Sequence, residues 1–217
     1  MRNKGRSTKE KILDAAEKLF AERGFYGVTI RQITSEAGVD VALSHYHFGK
    51  KQDLFDAVFD RRAETLNTER LEALDACVAK APDGLPSVED IIWAFVGPIH
   101  QKAASGGPKW KSYLALVAQV NNSPEWGARY MSKSFDPVVN RFMAVLRRVL
   151  PDATQDDLYW SYHFFSGALV LTMAATGRID RLSGGACSST DYDAVYPRMP
   201  HFVAGGFKAL CAGPDTA

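Results

Sequence analysis

The sequence predicts an all-α protein: a three-helix head at the N-terminus, joined through one long helix to a larger helical body. Three observations predict it. Apolar residues recur at helical spacing, and no segment sustains the alternation of a half-buried strand. Capping residues stand ahead of the apolar runs at Ser7, Thr29, Asp40 and Ser87. The stretch from Lys51 to Lys80 contains neither glycine nor proline, so nothing in it breaks a helix.

In chain order, Ser7 opens the first helix with Glu10 at the capping-box position. Ile12, Ala16, Leu19 and Phe20 form its apolar stripe, and Arg23-Gly24 end it. Thr29 caps a second helix with Gln32 three residues on, and Ile30, Ile33 and Ala37 keep one face apolar. Gly38 follows the last turn, where a positive φ is needed and a residue without Cβ takes it freely. Asp40 caps a third helix running to His47, made of short and aromatic residues. Two short helices around a glycine turn form a helix-turn-helix, an arrangement that presents its second helix to the major groove of DNA.

The long helix begins at Lys51 and runs toward Lys80, with Leu54, Val58 and Leu66 on its inner face. Residues 81–86 read as a loop. Ser87, with Asp90 three on, starts a helix through Ile91, Ile92, Phe95 and Val96 that Gly97-Pro98 are expected to break or kink. Ser105-Gly106-Gly107-Pro108 reads as a second loop. Further helices are expected over Trp110–Val120, Asp136–Val149 and Thr154–Thr176. After Gly184-Gly185, a last helix from Tyr192 to Leu210 is expected to be interrupted at Pro197 and Pro200. The chain thus divides into a head, residues 1–51, and a body, residues 52–217. Their boundary falls within a continuous helix, so the two parts are expected not to move independently.

The net charge of +1 argues against wholesale polyanion binding, but its distribution is uneven. Residues 1–51 hold ten Lys/Arg against six Asp/Glu, whereas the remainder holds sixteen against nineteen. A basic end on a slightly acidic body fits docking on phosphates. Arg2, Lys4 and Arg6 form a short basic arm that reads equally as a solvated terminus or as a phosphate or minor-groove contact. No apolar run is long enough to span a membrane, and the charged N-terminus has no apolar signal region, so a cytoplasmic location is expected. Cys77, Cys187 and Cys211 are odd in number and widely spaced, and are expected to be reduced thiols.

Thr29, the Ala37-Gly38-Val39 turn, Tyr46-His47-Phe48, and the following Lys51, Asp53, Leu54 and Phe55 together resemble the TetR family of transcriptional regulators. The likeness covers about the first sixty residues. A finer pattern around the turn and Tyr46-His47-Phe48-Gly49 is similar to a subgroup of fatty-acid-responsive regulators. The chain departs from the family at Leu43-Ser44-His45, where a small polar residue followed by Leu and Tyr is usual. That leaves open which of Leu43 and Ser44 faces the core.

The resemblance implies a homodimeric, ligand-responsive DNA-binding regulator, most often a repressor. Its partners would be double-stranded DNA with a palindromic operator, half-sites roughly 34–36 Å or a multiple apart, and a hydrophobic small-molecule effector. By family position, Thr29, Tyr46 and Lys51 would lie at phosphates, and Arg31, Val41, Ala42 and His45 near base edges. Lys50-Lys51 at a helix N-terminus supports a phosphate contact independently: free N–H groups attract anions there, while lysine itself disfavours that end of a helix. The resemblance also implies a four-helix dimer bundle from the last two long helices.

The body is rich in large apolar groups. Singly each reads as core packing; together Trp93, Trp110, Tyr113, Trp126, Phe142 and Phe164 are candidates to line an effector pocket between helices, with Asn121 and His163 among its polar groups. No nucleophile motif, acid/base pair or metal-ligand spacing occurs, and Gly106-Gly107-Pro108-Lys109 lacks phosphate-loop spacing. No catalytic residue, cofactor or metal is therefore expected, and the chain is not expected to be an enzyme. The rival readings are a helical interaction protein without DNA binding and a small helical enzyme acting on an apolar substrate.

Overall fold

The computed structural model describes residues 7–212 and is all-helical over them. The basic arm at Arg2, Lys4 and Arg6 lies outside the described residues. The head comprises α1 (Thr8–Arg23), α2 (Ile30–Ala37), α3 (Val41–Phe48) and the start of α4 (Lys51–Lys80). A short 3₁₀ turn, Pro82–Gly84, leads to α5 (Val88–Ser105), α6 (Gly107–Asn121), α7 (Gly127–Val149) and α8 (Gln155–Ala174). Then come the five-residue α9 (Arg178–Leu182) and α10 (Tyr192–Leu210).

Helix starts follow the local chemistry. Ser7 and Glu10 close a capping box on α1, as Thr29 and Gln32 do on α2. Asp40 accepts the Ala42 N–H at 2.7 Å to open α3. Gly38 ends α2 with φ 64° and ψ 41°, the left-handed conformation that glycine adopts without strain. The head core is Ile12, Ala16 and Phe20 of α1, Ile33 of α2 and Leu54, Phe55 and Val58 of α4, all fully buried.

In the body, α5 packs between α4 and α10, α6 lies on α1 and α8, and α7 runs along α4. Phe95, Phe142, Phe165 and Phe207 interlock at its centre, with Phe95 and Phe142 centroids 4.3 Å apart.

Several expected breaks are absent. Pro98 lies inside a continuous α5, and Pro197 and Pro200 lie inside a continuous α10. An interior proline costs about 3 kcal/mol, and burial of Phe95, Val96 and Ile99 around Pro98, and of Tyr196, Met199 and Val203 in α10, offsets it. The expected loop at 105–108 shrinks to Gly106 alone. A Cβ there would stand 2.5 Å from the Lys102 carbonyl oxygen and 2.6 Å from the Trp110 ring, so the corner requires glycine. Helix α7 starts at Gly127 rather than near Asp136, with Pro137 inside it, because α4 holds its first turns. There Lys133 pairs with Asp60 at 2.7 Å, and Asn67 donates to the Ser134 carbonyl at 2.5 Å. The short α9 was not anticipated by the periodicity.

The head is fixed to the body by a buried carboxylate. Glu17 of α1 is 1% exposed and accepts from Arg61 at 2.7 Å and from Arg62 at 2.7 and 3.0 Å. Asp14 extends the cluster to Arg61 at 3.0 Å and to Lys109 of α6 at 2.6 Å. Both guanidiniums are more than four-fifths or nearly so enclosed, so removing their shared partner leaves charge poorly solvated. Glu17→Ala should therefore destabilise the fold by about 3 kcal/mol, the low end for a buried pair broken on one side. Chemical denaturation checks this, and a loss below half a kcal/mol, roughly the scale of a surface pair, would sink the assignment.

Candidate nucleic-acid interface and effector cavity

Helix α3 exposes one face to solvent. Ala42, His45 and Tyr46, at i, i+3 and i+4, lie on it, with Tyr46 82% exposed. Ser44 points inward and is buried, while Leu43 is 38% exposed, which resolves the order left open by the sequence. Val41 is half-buried at the start of the helix. His45 Nδ1 lies 3.0 Å from the Gly49 carbonyl oxygen. A carbonyl only accepts, so Nδ1 carries the hydrogen and Nε2 of the neutral ring is left as an acceptor.

The flanking elements carry cations without carboxylate partners. Thr29 and Arg31 are exposed at the N-terminus of α2, and Lys50 is exposed ahead of α4. Arg31, Lys50 and Lys51 form no ion pair among the described residues, in contrast to Lys18, Arg61, Arg62 and Lys109. Lys51 lies with its Nζ 4.2 Å over the Phe25 ring, and burial lowers its pKa. Asp53 accepts the Lys50 N–H at 2.9 Å, ordering the backbone at the start of α4. All eight residues singled out for DNA thus fall on α3 or on the N-terminal ends of α2 and α4. About four to five helical turns further on, at Leu66 and Arg70, the same α4 lies in the body.

There it borders a cavity of about 270 Å³, just under the volume usual for small-molecule sites. Leu66 and Arg70 of α4 line it, with Phe95 and Ile99 of α5, Val117 and Asn121 of α6, Phe135 and Val139 of α7, and Phe165, Leu169 and Met173 of α8. Its polar groups are Arg70, Asn121, Asp136, Tyr162, His163 and Ser166. Arg70 is buried, and burial pulls its pKa down to about 10, so it remains a cation at neutral pH. Nothing in the sequence reading singled it out. The signal was its phase: Leu66, Arg70 and Leu74 follow one another at four-residue spacing, which puts a charge on an apolar stripe.

Of the eight effector candidates, the structure brings only Asn121 and His163 to this cavity. The other six lie elsewhere, and each has a packing reason. Phe142 is fully buried in the phenylalanine core beside the cavity. Tyr113 is buried against Phe59 and Trp110, and Trp110 in turn faces the Arg62 guanidinium at 4.9 Å. Trp93 is 38% exposed and stacks on His100. Trp126 joins head to body: its centroid is 4.6 Å from Phe25 and 5.0 Å from Phe55. Phe164 is 60% exposed and stacks on Trp160. Helical spacing marks these aromatics as inward or outward but does not say which helix each one meets.

Trp160, Phe164 and Leu171 form an exposed apolar stripe on α8, and Phe202 and Leu210 are exposed on α10. Among the described residues, no helix is long and apolar enough to cross a membrane, and no three His, Cys, Asp or Glu side chains are grouped to hold a metal ion. The three cysteines are free thiols.

Residues 12–58 match the family described as bacterial regulatory proteins, tetR family. Residues 93–206 match the family described as tetracyclin repressor-like, C-terminal domain. Among curated proteins, the HTH-type transcriptional regulator LmrA of Bacillus subtilis is 36% identical over 76 residues, covering 34% of this chain and 40% of LmrA. The biofilm operon icaADBC negative transcriptional regulator IcaR of Staphylococcus aureus is 23% identical over 117 residues, 54% of this chain and 55% of IcaR. The chain therefore spans about half or less of the length of these relatives. Among solved structures, the fatty acid degradation regulator FadR of Bacillus halodurans superposes with a TM-score of 0.64 at 16% identity, over 94% of this chain and 98% of FadR. A tetR family regulator from Shewanella sp. PV-4 superposes with a TM-score of 0.59 at 17% identity, over 88% of this chain and 96% of its own. These structural likenesses speak to the fold alone. Because the two family matches include the helix-turn-helix and more than half of the chain in the body, the chain belongs to the TetR family of transcriptional regulators.

Proposed function

We propose that this regulator is a homodimeric repressor that binds a palindromic operator and is released from it by a hydrophobic small molecule. One observation carries the reading: α4 begins at Lys51, directly behind the recognition helix, and lines the body cavity through Leu66 and Arg70. A ligand that favours one position of α4 thereby favours one position of the head. It acts only through its differential affinity for the two states. In each half-site α3 enters the major groove, with Ala42, His45 and Arg31 near base edges. Thr29, Tyr46, Lys50 and Lys51 take phosphates, and Lys51 leaves the Phe25 ring to do so. Val41 and Ala42 supply apolar contact for a thymine methyl. His45, with Nε2 as acceptor, suits the amino group of cytosine or adenine. The exposed stripe on α8 and the apolar side chains of α10 supply the dimer contact.

A salt-dependent gel shift on DNA flanking its own gene tests the reading as a whole. Long-chain acyl compounds and aromatic drugs are expected to release the DNA in at least one class. Release by small, strongly polar metabolites alone would overturn the hydrophobic-effector reading.

A panel of single-base operator variants separates the two kinds of DNA contact. Lys51→Ala should weaken binding on every sequence and reduce the salt slope by about 0.9 per phosphate lost, doubled for a symmetric dimer. His45→Ala should instead lose roughly 1–3 kcal/mol of discrimination at one base pair per half-site, with little change on nonspecific DNA. An unchanged slope rejects the first role; a uniform loss across the panel, with a lower melting temperature, rejects the second.

For the dimer, Phe164→Glu places a charge in the middle of the α8 stripe. Sedimentation at micromolar concentration should show a dimer for the native chain and a folded monomer for the variant. A dimer in both would move the interface elsewhere.

A further inference from the structure

The body cavity holds one full cation in a largely apolar wall. Arg70 is 4% exposed, and among the described residues it forms no ion pair. Its Nε–H donates to the Phe95 carbonyl at 3.1 Å, and Nη1 reaches Asn67 Oδ1 only at 3.5 Å. Its Cζ sits 3.7 Å from the Phe95 ring centroid. That leaves three of its five donors without a protein acceptor among the described residues. Of the α4 carboxylates, Asp56 is engaged with Tyr130, Asp60 with Lys133, Glu69 through one oxygen with Lys102, and Asp75 with Arg141. Asp136, the carboxylate on the cavity wall, is exposed and lies beyond ion-pair distance of Arg70.

A buried charge without a counter-ion is unfavourable, and a guanidinium has the fork geometry that a carboxylate fills with two parallel bonds. No second lysine or arginine lines the cavity, so it balances one negative charge and not the nearly two of a phosphate monoester. Tyr162 and Ser166 add hydroxyl groups on the same wall; burial raises the Tyr162 pKa and the nearby Arg70 guanidinium partly opposes that rise, so the phenol stays neutral and keeps its O–H. Asn121 and His163 are polar as well, and the rest of the surface, including Phe135, Val139, Leu169 and Met173, is apolar.

We infer that the cavity takes an organic monocarboxylate, its carboxylate on Arg70 and its hydrocarbon body against the α7 and α8 side chains. The inference rests on the effector reading above and narrows it to an acid. It also gives the ligand a direct hold on α4, since Arg70 belongs to the helix that begins behind the recognition helix.

Calorimetric titration of the whole protein with matched pairs tests it: straight-chain alkanoates against 1-alkanols of equal length, and 2-naphthoate against 2-naphthol. At least one acid should bind about tenfold to a hundredfold more tightly than its neutral partner, as a charge-assisted pair requires. Arg70→Met should bind acid and alcohol alike with no loss of melting temperature, because an apolar side chain of similar length replaces a buried charge. Arg70→Lys should keep part of the preference, since the charge remains and the fork is lost. The wild-type ratio and the lysine variant decide the matter even if Arg70→Met fails to fold. Equal binding of acids and alcohols by the native protein, or an unchanged preference in Arg70→Met, overturns the anion site and leaves the hydrophobic effector standing. Binding of neither class overturns the anion site, and persistence of the DNA complex with every compound would then remove the effector reading too.

Discussion

The structure depends on one unbroken helix. Helix α4 spans thirty residues from Lys51 to Lys80, about 45 Å at the usual rise per residue, and it is shared by head and body. Its first turns bury Leu54, Phe55 and Val58 in the head core. Its middle supplies Arg61 and Arg62 to the buried Glu17 of α1. Further along, Asn67 and Arg70 reach α7 and α5. A helix held on three sides has few independent positions, so any displacement of α4 is a displacement of the recognition helix as well.

Helix α7 provides a second link between body and head. It is stitched to α4 through Tyr130 with Gln52 and Asp56, and through Lys133 with Asp60. At its start, Trp126 packs edge-on against Phe25 of the α1–α2 connection and Phe55 of α4. Edge-to-face aromatic pairs are worth about 0.5–1.5 kcal/mol each beyond their buried area, comparable with the coupling energies that link distant sites. Phe135 and Val139 of α7 and Val117 of α6 also face the cavity, so its wall includes three helices that reach the head.

The places where sequence rules and structure diverge share a cause. Prolines 98, 137, 197 and 200 each remove a backbone donor, and those at 98, 197 and 200 are expected from the sequence to break or interrupt helices. In the structure the helices continue, because each proline is flanked by side chains buried against other elements. Glu17 and Arg70 show the converse. Both are charged residues on apolar stripes, a local inconsistency that marks a junction in one case and a cavity in the other.

What the sequence determined by itself was local. The capping boxes at Ser7 and Thr29, the left-handed turn at Gly38, the ends of α4 and the helix-turn-helix that they build are each settled within about four residues by backbone hydrogen bonding and φ/ψ preference. The positions of the eight candidates for DNA contact belong to that class, since all lie on α3 or within the first turn of α2 and α4, where the caps fix the register. The tertiary structure alone decided the rest: that Ser44 turns inward and Leu43 outward, that Trp126 bridges head and body, that Phe142 fills the core while Asn121 and His163 reach the cavity, and that Arg70 lies buried without a counter-ion among the described residues. Periodicity tells which side of a helix is covered. What covers it comes from residues tens of positions away, and only their packing in three dimensions turns an apolar stripe into a core, a junction or a binding site.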